Sequence, residues 1–482
     1  MVDTETEIRS AELPSPRPTT QFAPGAKLDS VYFFMWPGWR DELESNRWHW
    51  SKRWAQRLPV VLIQPELPVG EPARAVPEHR LANVELLSVE KQSDDARDWL
   101  ASGLRQAGQI AAHMAFRGHR HPVFWFYNPH LVAPYALLPA RARVFHATEN
   151  YFHFRGLNDD WLNYYRYAIE AGDLAICCSS GVADALIKHT RQRKLLTLPN
   201  GCDFFKYARP TAAPGDWPAQ IADWQQPARR LAVYAGNINY RIDFDLIEAL
   251  VAHHPEIGFV FAGPLDFYNL SDGQRSAWVR LQRRSNFRTL GRIPAEDIPA
   301  LYWRCDVGII PYRFDLPIVV ENGFPLKALE MAAAGLPVVA SLMKPLREIA
   351  GAVTVVADAE AFCAALATHS RCSRGEAERN AAEQICRAYD YDILFERMAQ
   401  ALEPLISDAC RPADLAGLAE RIGLDSYMEA LTRLAHIPST GPVRPPRVPF
   451  RCRVGALLLR IPPEIRLALP EPIRRVSRRW FL

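Results

Sequence analysis

Nowhere in this 482-residue chain do about eighteen apolar residues run together without a charge, so the sequence offers no membrane-spanning helix, which needs that length of uninterrupted hydrocarbon. The opening MVDTETEIRSAELPSPRPTT also lacks the basic and apolar regions of a secretion signal. A stretch so poor in apolar side chains cannot offset its ordering entropy, and residues 1–29 are expected to be a disordered tail. The nine cysteines are odd in number and carry no metal-ligand spacing. Cys177 and Cys178 sit side by side in an apolar run, so the cysteines read as small buried hydrophobes of a reducing compartment, which places the chain in the cytoplasm.

What is present is the composition of a globular protein, 49% hydrophobic and 23% charged. The length exceeds what one ordinary core accommodates, so two domains with extensions are expected. Net charge is only +3, but it is unevenly placed. From Gly441 to Leu482 there are ten arginines, no lysine and two glutamates, which leaves a mildly acidic body carrying a basic tail.

Short apolar runs bounded by turn residues recur along the body. Ser30–Met35 ends at Trp36-Pro37-Gly38-Trp39, a helix follows from Ser45 or Asn46, and Val60–Ile63 lies between prolines. Strand, helix, strand in that order implies a parallel pair. Further strands are read at 122–127, 142–146, 174–178 and 195–198, the last running into Pro199-Asn200-Gly201-Cys202-Asp203. A second alternation supplies strands, with the turns that end them, at 231–237, 258–264, 287–292, 305–311 and 337–341. The expectation is two doubly wound, Rossmann-like α/β domains facing across a cleft: residues 30–208, a proline- and alanine-rich linker at 209–228, and residues 229–385. A crossing helix at 386–408 and a basic extension at 409–482 complete the chain. Ligands of such sheets sit at the carboxyl ends of the strands, so the site should straddle the cleft.

The strongest local signal runs from Glu321-Asn322-Gly323-Phe324-Pro325-Leu326-Lys327 to Glu330 and on to Gly335-Leu336-Pro337-Val338-Val339. A loop with glycine and proline opens a helix whose first amides and dipole suit a diphosphate. Lys327 adds a full charge there, and Glu330, three residues on, can accept hydrogen bonds from two ribose hydroxyls. A solvent-capped helix with a surface lysine–glutamate pair fits the same residues.

This stretch resembles the signature of family-4 glycosyltransferases of the GT-B fold, in the version Pro-x-Lys-x-x-Glu carried by Pro325, Lys327 and Glu330. The likeness extends in order over about residues 30–400, through PNGCD at Pro199, the Tyr234–Arg241 segment, LGRIP at Leu290 and DVGIIPYR at Asp306. The better-known motif has two glutamates with seven residues between them; Glu321 and Glu330 have eight, which argues for Glu330 as the sugar-nucleotide contact and against Glu321. The resemblance implies a GT-B hexosyltransferase, retaining by family analogy, that draws on a nucleoside diphosphate sugar with no other cofactor and no metal. Gly236 and Asn237 would lie near the donor phosphates with Arg241 as a cationic partner. The backbone at Arg292 and Ile293 would meet the nucleobase. Lys327 and the amides of the Pro325-Leu326-Lys327 turn would hold the diphosphate, and Glu330 the ribose. Acceptors in this branch are glycans or lipid-linked sugars, as in cell-surface polysaccharide synthesis.

Other residues leave alternatives open. His146 and Glu149 follow an apolar run at a strand's carboxyl end, where either can meet the donor sugar or deprotonate an acceptor hydroxyl; local hydrogen bonding within the loop is the other reading. Gly38 and Trp39 can contact donor or acceptor, or form a simple turn beneath packed tryptophans. Asp243-Phe244-Asp245 matches an Asp-x-Asp metal motif in form, but it opens a helix and reads as a cap. The basic tail suits anionic lipid headgroups at the inner face of a membrane, a contact with the body or a second subunit, or disorder. Nucleic acid is not an expected partner, since the body is acidic and no motif for it is present. Two rivals to transfer remain: a GT-B sugar-nucleotide epimerase, and a non-catalytic subunit that binds glycan or nucleotide.

Overall fold

The computed structural model describes residues 28–91, 99–154, 157, 159–210, 218–224, 229–371 and 375–413. All the described residues belong to one compact unit. The expected N-terminal tail up to residue 27 and the basic extension beyond Ala413 lie outside the described residues, and with them the membrane-contact expectation. Among the described residues no helix is long and apolar enough to cross a membrane.

The first lobe is an eight-stranded sheet. Its strands are β1 (Ser30–Phe34), β2 (Val60–Leu67), β3 (Arg74–Pro77), β4 (Val84–Glu90), β5 (Pro122–Phe126), β6 (Ala142–Ala147), β7 (Leu174–Cys177) and β8 (Leu195–Thr197), in the order β3-β4-β2-β1-β5-β6-β7-β8. The paired strands run parallel except β3 on β4. Central strands such as SVYFF and PVFWF are buried along their whole length, as a sheet covered by helices on both faces requires. The outermost β3 is exposed throughout, and its Arg74 and Pro77 blunt an edge that would otherwise invite pairing. The sequence reading had neither β3 nor β4: VELLSVE mixes charge into its apolar alternation, and β3 buries nothing.

The second lobe carries six parallel strands, β9 (Arg230–Ala235), β10 (Ile257–Ala262), β11 (Phe287–Gly291), β12 (Val307–Ile310), β13 (Val338–Ser341) and β14 (Thr354–Val356), in the order β11-β10-β9-β12-β13-β14. The order reverses between β9 and β12, so the loops leaving these two strands diverge and open a crevice. The proline-rich segment expected to be a plain linker is anchored at its described part. Ile221 and Trp224 are buried in the second core, and the Trp224 ring lies so close over β10 that a Cβ on Gly258 would sit 2.7 Å from it. Large apolar residues scattered among prolines and alanines show no periodicity in sequence, yet Ile221 and Trp224 suffice to pin the segment.

The chain then returns. The helix Glu376–Ala388 packs on the second lobe, and Tyr391–Leu402 buries Tyr391, Leu394, Phe395 and Met398 with Trp50, Trp54 and Trp125 of the first. At the passage between them Cys202 bridges to Asp390, and a Cβ on Gly201 would stand 2.4 Å from the Tyr389 carbonyl. Only glycine lets these two segments pass so closely.

Asp203 locks this junction. It accepts hydrogen bonds from Lys52 at 2.9 Å and from Arg53, with His49 Nδ1 3.7 Å away. His49 is stacked on Tyr391 with ring centres 4.1 Å apart, and burial pushes it down to about 3. Burial alone would raise the Asp203 carboxyl; His49, Arg53 and Lys52 outweigh it and hold the group far below the ordinary carboxylate range. Since His49 is uncharged near neutrality, the two permanent cations carry that effect there. Stability from a depressed carboxyl is complete above the ordinary carboxylate pKa and is lost as pH falls below it. Asp203→Asn leaves the buried Arg53 with the part-exposed Asp392 carboxylate alone, so unfolding at pH 7 should cost about 1–3 kcal/mol less. Urea titrations between pH 7 and pH 3 should show the gap to wild type narrowing as the pH drops; a pH-independent gap would contradict this account.

Candidate active site

Strand β9 ends at Gly236, whose backbone adopts φ +142°. A Cβ built there would lie 2.6 Å from Cε and 2.8 Å from Nζ of Lys327. The lysine comes from the helix Leu326–Ala333, which enters after Pro325 with no side chain capping it. The amides of Leu326 and Lys327 open that helix and have no carbonyl one turn back to bond. Gly236, the Lys327 ammonium and the start of this helix thus converge beside the β9/β12 crevice. Among the described residues no carboxylate forms an ion pair with Lys327; its Nζ donates to the Tyr312 hydroxyl at 3.1 Å.

Glu330 follows one turn later. Burial pushes its carboxyl up to about 7, against the pull of the Lys327 charge and a hydrogen bond with the Tyr207 hydroxyl. Asn237 is exposed next to Gly236, and its carbonyl accepts from the Tyr234 hydroxyl at 2.8 Å. Arg241 stands on the same loop, its carbonyl accepting from the Arg313 amide, and its guanidinium meets Glu149 of the first lobe at 2.9 Å. Asp243 accepts from the Leu246 amide at 2.9 Å and caps the helix Phe244–His253. Among the described residues no three His, Cys, Asp or Glu side chains are grouped as a metal ion would need.

Several sequence-stated candidates take different roles from those expected. His146 is 1% exposed and sits against Trp50, Trp125 and Tyr127, with Nδ1 3.1 Å from the Tyr127 hydroxyl. Burial pushes it down to about 3, so the ring is neutral near pH 7. Buried among these rings, it packs the aromatic floor of the first lobe and is not placed as the expected acid or base. Trp39 is fully buried, with its indole N–H donating to Glu78 at 2.6 Å and its ring stacked on Trp48. Its side chain therefore packs the lobe and does not meet a ligand. Gly38 before it is exposed at φ +91°, with open space where a side chain would be.

Glu149 does face the cleft, where Arg241 engages its carboxylate and ties the two lobes together. Arg292 is exposed and donates to the Asp41 carbonyl at 2.8 Å, reaching across to the first lobe. Ile293 packs its side chain on the second core, and Leu326 rests on the core of the first. Pro325 sets the extended approach to the helix, φ −73° and ψ 137°.

Three residues at this site had not been singled out. Tyr312 and Tyr234 surround the lysine, and the strand DVGIIPYR placed Tyr312 at a carboxyl end where it could have been suspected. Asn322 is buried, receives a hydrogen bond from Asn150 Nδ2 at 3.4 Å and lies 3.4 Å from His153 Nδ1. Seven residues separate it from Glu330, so a count would have put Asn322, not Glu321, at the first position of the two-glutamate spacing. Glu321 itself pairs with Lys344 at 2.7 Å, and its carbonyl would clash with a Cβ on Gly181.

Residues 229–370 match the family model described as "Glycosyl transferases group 1". A search of curated protein sequences finds no match. Among solved structures the chain is similar to sucrose-phosphate synthase from Thermosynechococcus elongatus, with a TM-score of 0.59 and 14% identity over 78% of this chain and 99% of that one. It is similar also to HepE of Anabaena, solved with UDP and glucose (TM-score 0.56, 14% identity, 78% and 100% covered). A third likeness is to WaaG, a glycosyltransferase involved in lipopolysaccharide biosynthesis (TM-score 0.52, 15% identity, 77% and 98% covered). At such identities the structures speak for the fold, and the family match speaks for the half that carries Gly236, Lys327 and Glu330. Residues 229–370 thus match the group 1 glycosyl transferases, and the two-lobed architecture is that of the GT-B fold.

Proposed function

We propose that this protein transfers a sugar from a nucleoside diphosphate sugar to a glycan or lipid-linked acceptor in the synthesis of a cell-surface polysaccharide. The observation that carries the donor half of this reading is Lys327: an ammonium without a carboxylate partner among the described residues, pressed against Gly236 at a helix start. An unpaired cation beside free amides is where a diphosphate gains most, and it gains more as the sugar leaves and charge builds on the phosphate. Glu330, a turn further on, would accept the ribose hydroxyls. Arg241 would turn from Glu149 to the phosphates when the donor arrives. The reading requires no metal, because fixed cations and amides take up the leaving group's charge.

The acceptor half rests on the likeness to enzymes of glycan synthesis, and the exposed backbone at Gly38 supports a ligand contact there. Retention of anomeric configuration fits the same geometry. With Glu149 engaged by Arg241 and His146 buried, the departing phosphate is itself the base best placed to take the acceptor's proton.

Titration calorimetry with UDP and GDP should find one that binds, and Lys327→Ala should weaken it about 10–100-fold, the loss of a charge-assisted hydrogen bond. Slow hydrolysis of the matching nucleotide sugar, with the anomer followed by proton NMR, would then separate transfer from epimerisation and from binding without turnover. Should neither nucleotide bind, the donor reading fails.

Glu330 supplies a pH signature. Only its ionised form accepts two hydroxyls, so affinity for the intact nucleotide sugar should rise as pH climbs through about 7 and level off above. The sugar-bearing diphosphate has no proton of its own to titrate in that range. In Glu330→Gln the same binding curve between pH 6 and pH 8 should be weaker and flat; an unchanged slope would remove Glu330 from the ribose site.

A further inference from the structure

We propose that Tyr312 and Tyr234 are positioning residues for the donor diphosphate, holding the Lys327 ammonium over Gly236 and tying it to the Asn237 carbonyl through their hydroxyls. The inference rests on the donor reading above and adds the device that sets its lysine. A lysine stem ordinarily samples many rotamers, and its ordering opposes binding. Here the ammonium lies 5.0 Å from the Tyr234 ring centre and 5.6 Å from that of Tyr312, within range of cation–π attraction to both. It also donates to the Tyr312 oxygen at 3.1 Å.

The two rings stand 6.4 Å apart at 64°, and their hydroxyls are hydrogen-bonded. Tyr234, fully buried in β9, donates onward to the Asn237 carbonyl at 2.8 Å. Each oxygen in the run from lysine to loop carbonyl accepts one proton and passes its own along. Tyr312 is fixed at its own end by a bridge of its backbone to Ile242. Strand β9 and the segment leaving β12, the pair at which the sheet order reverses, thus each contribute one member. Burial would raise the Tyr312 phenol, yet the charges of Lys327 and Arg241 bring it below its ordinary value, which accords with a phenol oxygen facing cations. Phenylalanine would fill the same volume at either position; the hydroxyls are what couple the lysine to the loop.

Calorimetry with the nucleoside diphosphate that binds, with its parent nucleoside and with inorganic pyrophosphate reads this directly. Tyr312→Phe should weaken the diphosphate and pyrophosphate about tenfold, the worth of one hydrogen bond, and leave the nucleoside unchanged. In a Lys327→Ala background the same substitution should have no further effect, because it acts through the lysine. Tyr234→Phe, which keeps both rings and breaks only the last link, should weaken the diphosphate several-fold and serves if Tyr312→Phe folds poorly. Equal weakening of nucleoside and diphosphate, unchanged diphosphate affinity, or full additivity with Lys327→Ala would overturn the inference while the donor reading stands. A wild-type protein that binds none of these probes overturns both.

Discussion

One close approach organises the second lobe: the Lys327 side chain lies where a Cβ of residue 236 would be. Glycine at 236 is therefore both a conformational requirement, at φ +142°, and a steric one. The contact brings a positive charge from the helix after β12 against the backbone leaving β9. No local segment contains it; the sheet order supplies it by placing β9 and β12 side by side. Around it the fold stacks small requirements. Pro325 directs the chain into the helix, Gly308 leaves room for Met331 beneath it, and Glu330 is kept within the protein's low-dielectric surroundings.

Among the described residues weak polar ties span the cleft, beside Leu326 resting on the core of the first lobe. Arg241 meets Glu149, Arg292 meets Asp41, and Asn322 meets Asn150 and His153. The first two pairs are partly exposed, with Arg241 and Glu149 at 28% and 30%, and such pairs are each worth no more than about 1 kcal/mol. They define a closed arrangement without making it costly to open. The firm connection lies elsewhere, at the crossing of the chain, where Asp203 is enclosed with Lys52 and Arg53 and the aromatic helix Tyr391–Leu402 is buried in the first lobe. A rigid hinge with a lightly tied cleft suits a ligand that must enter between lobes and leave again.

Histidine and tryptophan at strand ends show where residue type misleads. His146 stands at the right end of β6, yet strand alternation turns it down into Trp50, Trp125 and Tyr127, and burial removes its charge. Trp39 follows an exposed glycine, yet its ring turns inward to Trp48 and its indole finds Glu78. Glu149, two residues beyond His146 and past the strand, does reach the cleft. A loop position alone does not say which way a side chain faces.

The sequence by itself determined the two alternations of strand and helix, the parallel sheets and the helix carrying Lys327 and Glu330. Each of these rests on local rules: apolar runs of strand length, turn residues after them, a proline before a helix. It left out β3, β4 and β14, whose burial is partial or whose pattern is broken by charge, and it read as plain linker a segment pinned by Ile221 and Trp224. Tertiary structure alone decided which charges remain unpaired. Arg241 and Lys327 look equivalent as sequence, but among the described residues one finds Glu149 across the cleft and the other finds the Tyr312 hydroxyl and two ring faces. That difference arises because partners ninety residues apart are set by sheet order and lobe closure, which no local pattern encodes.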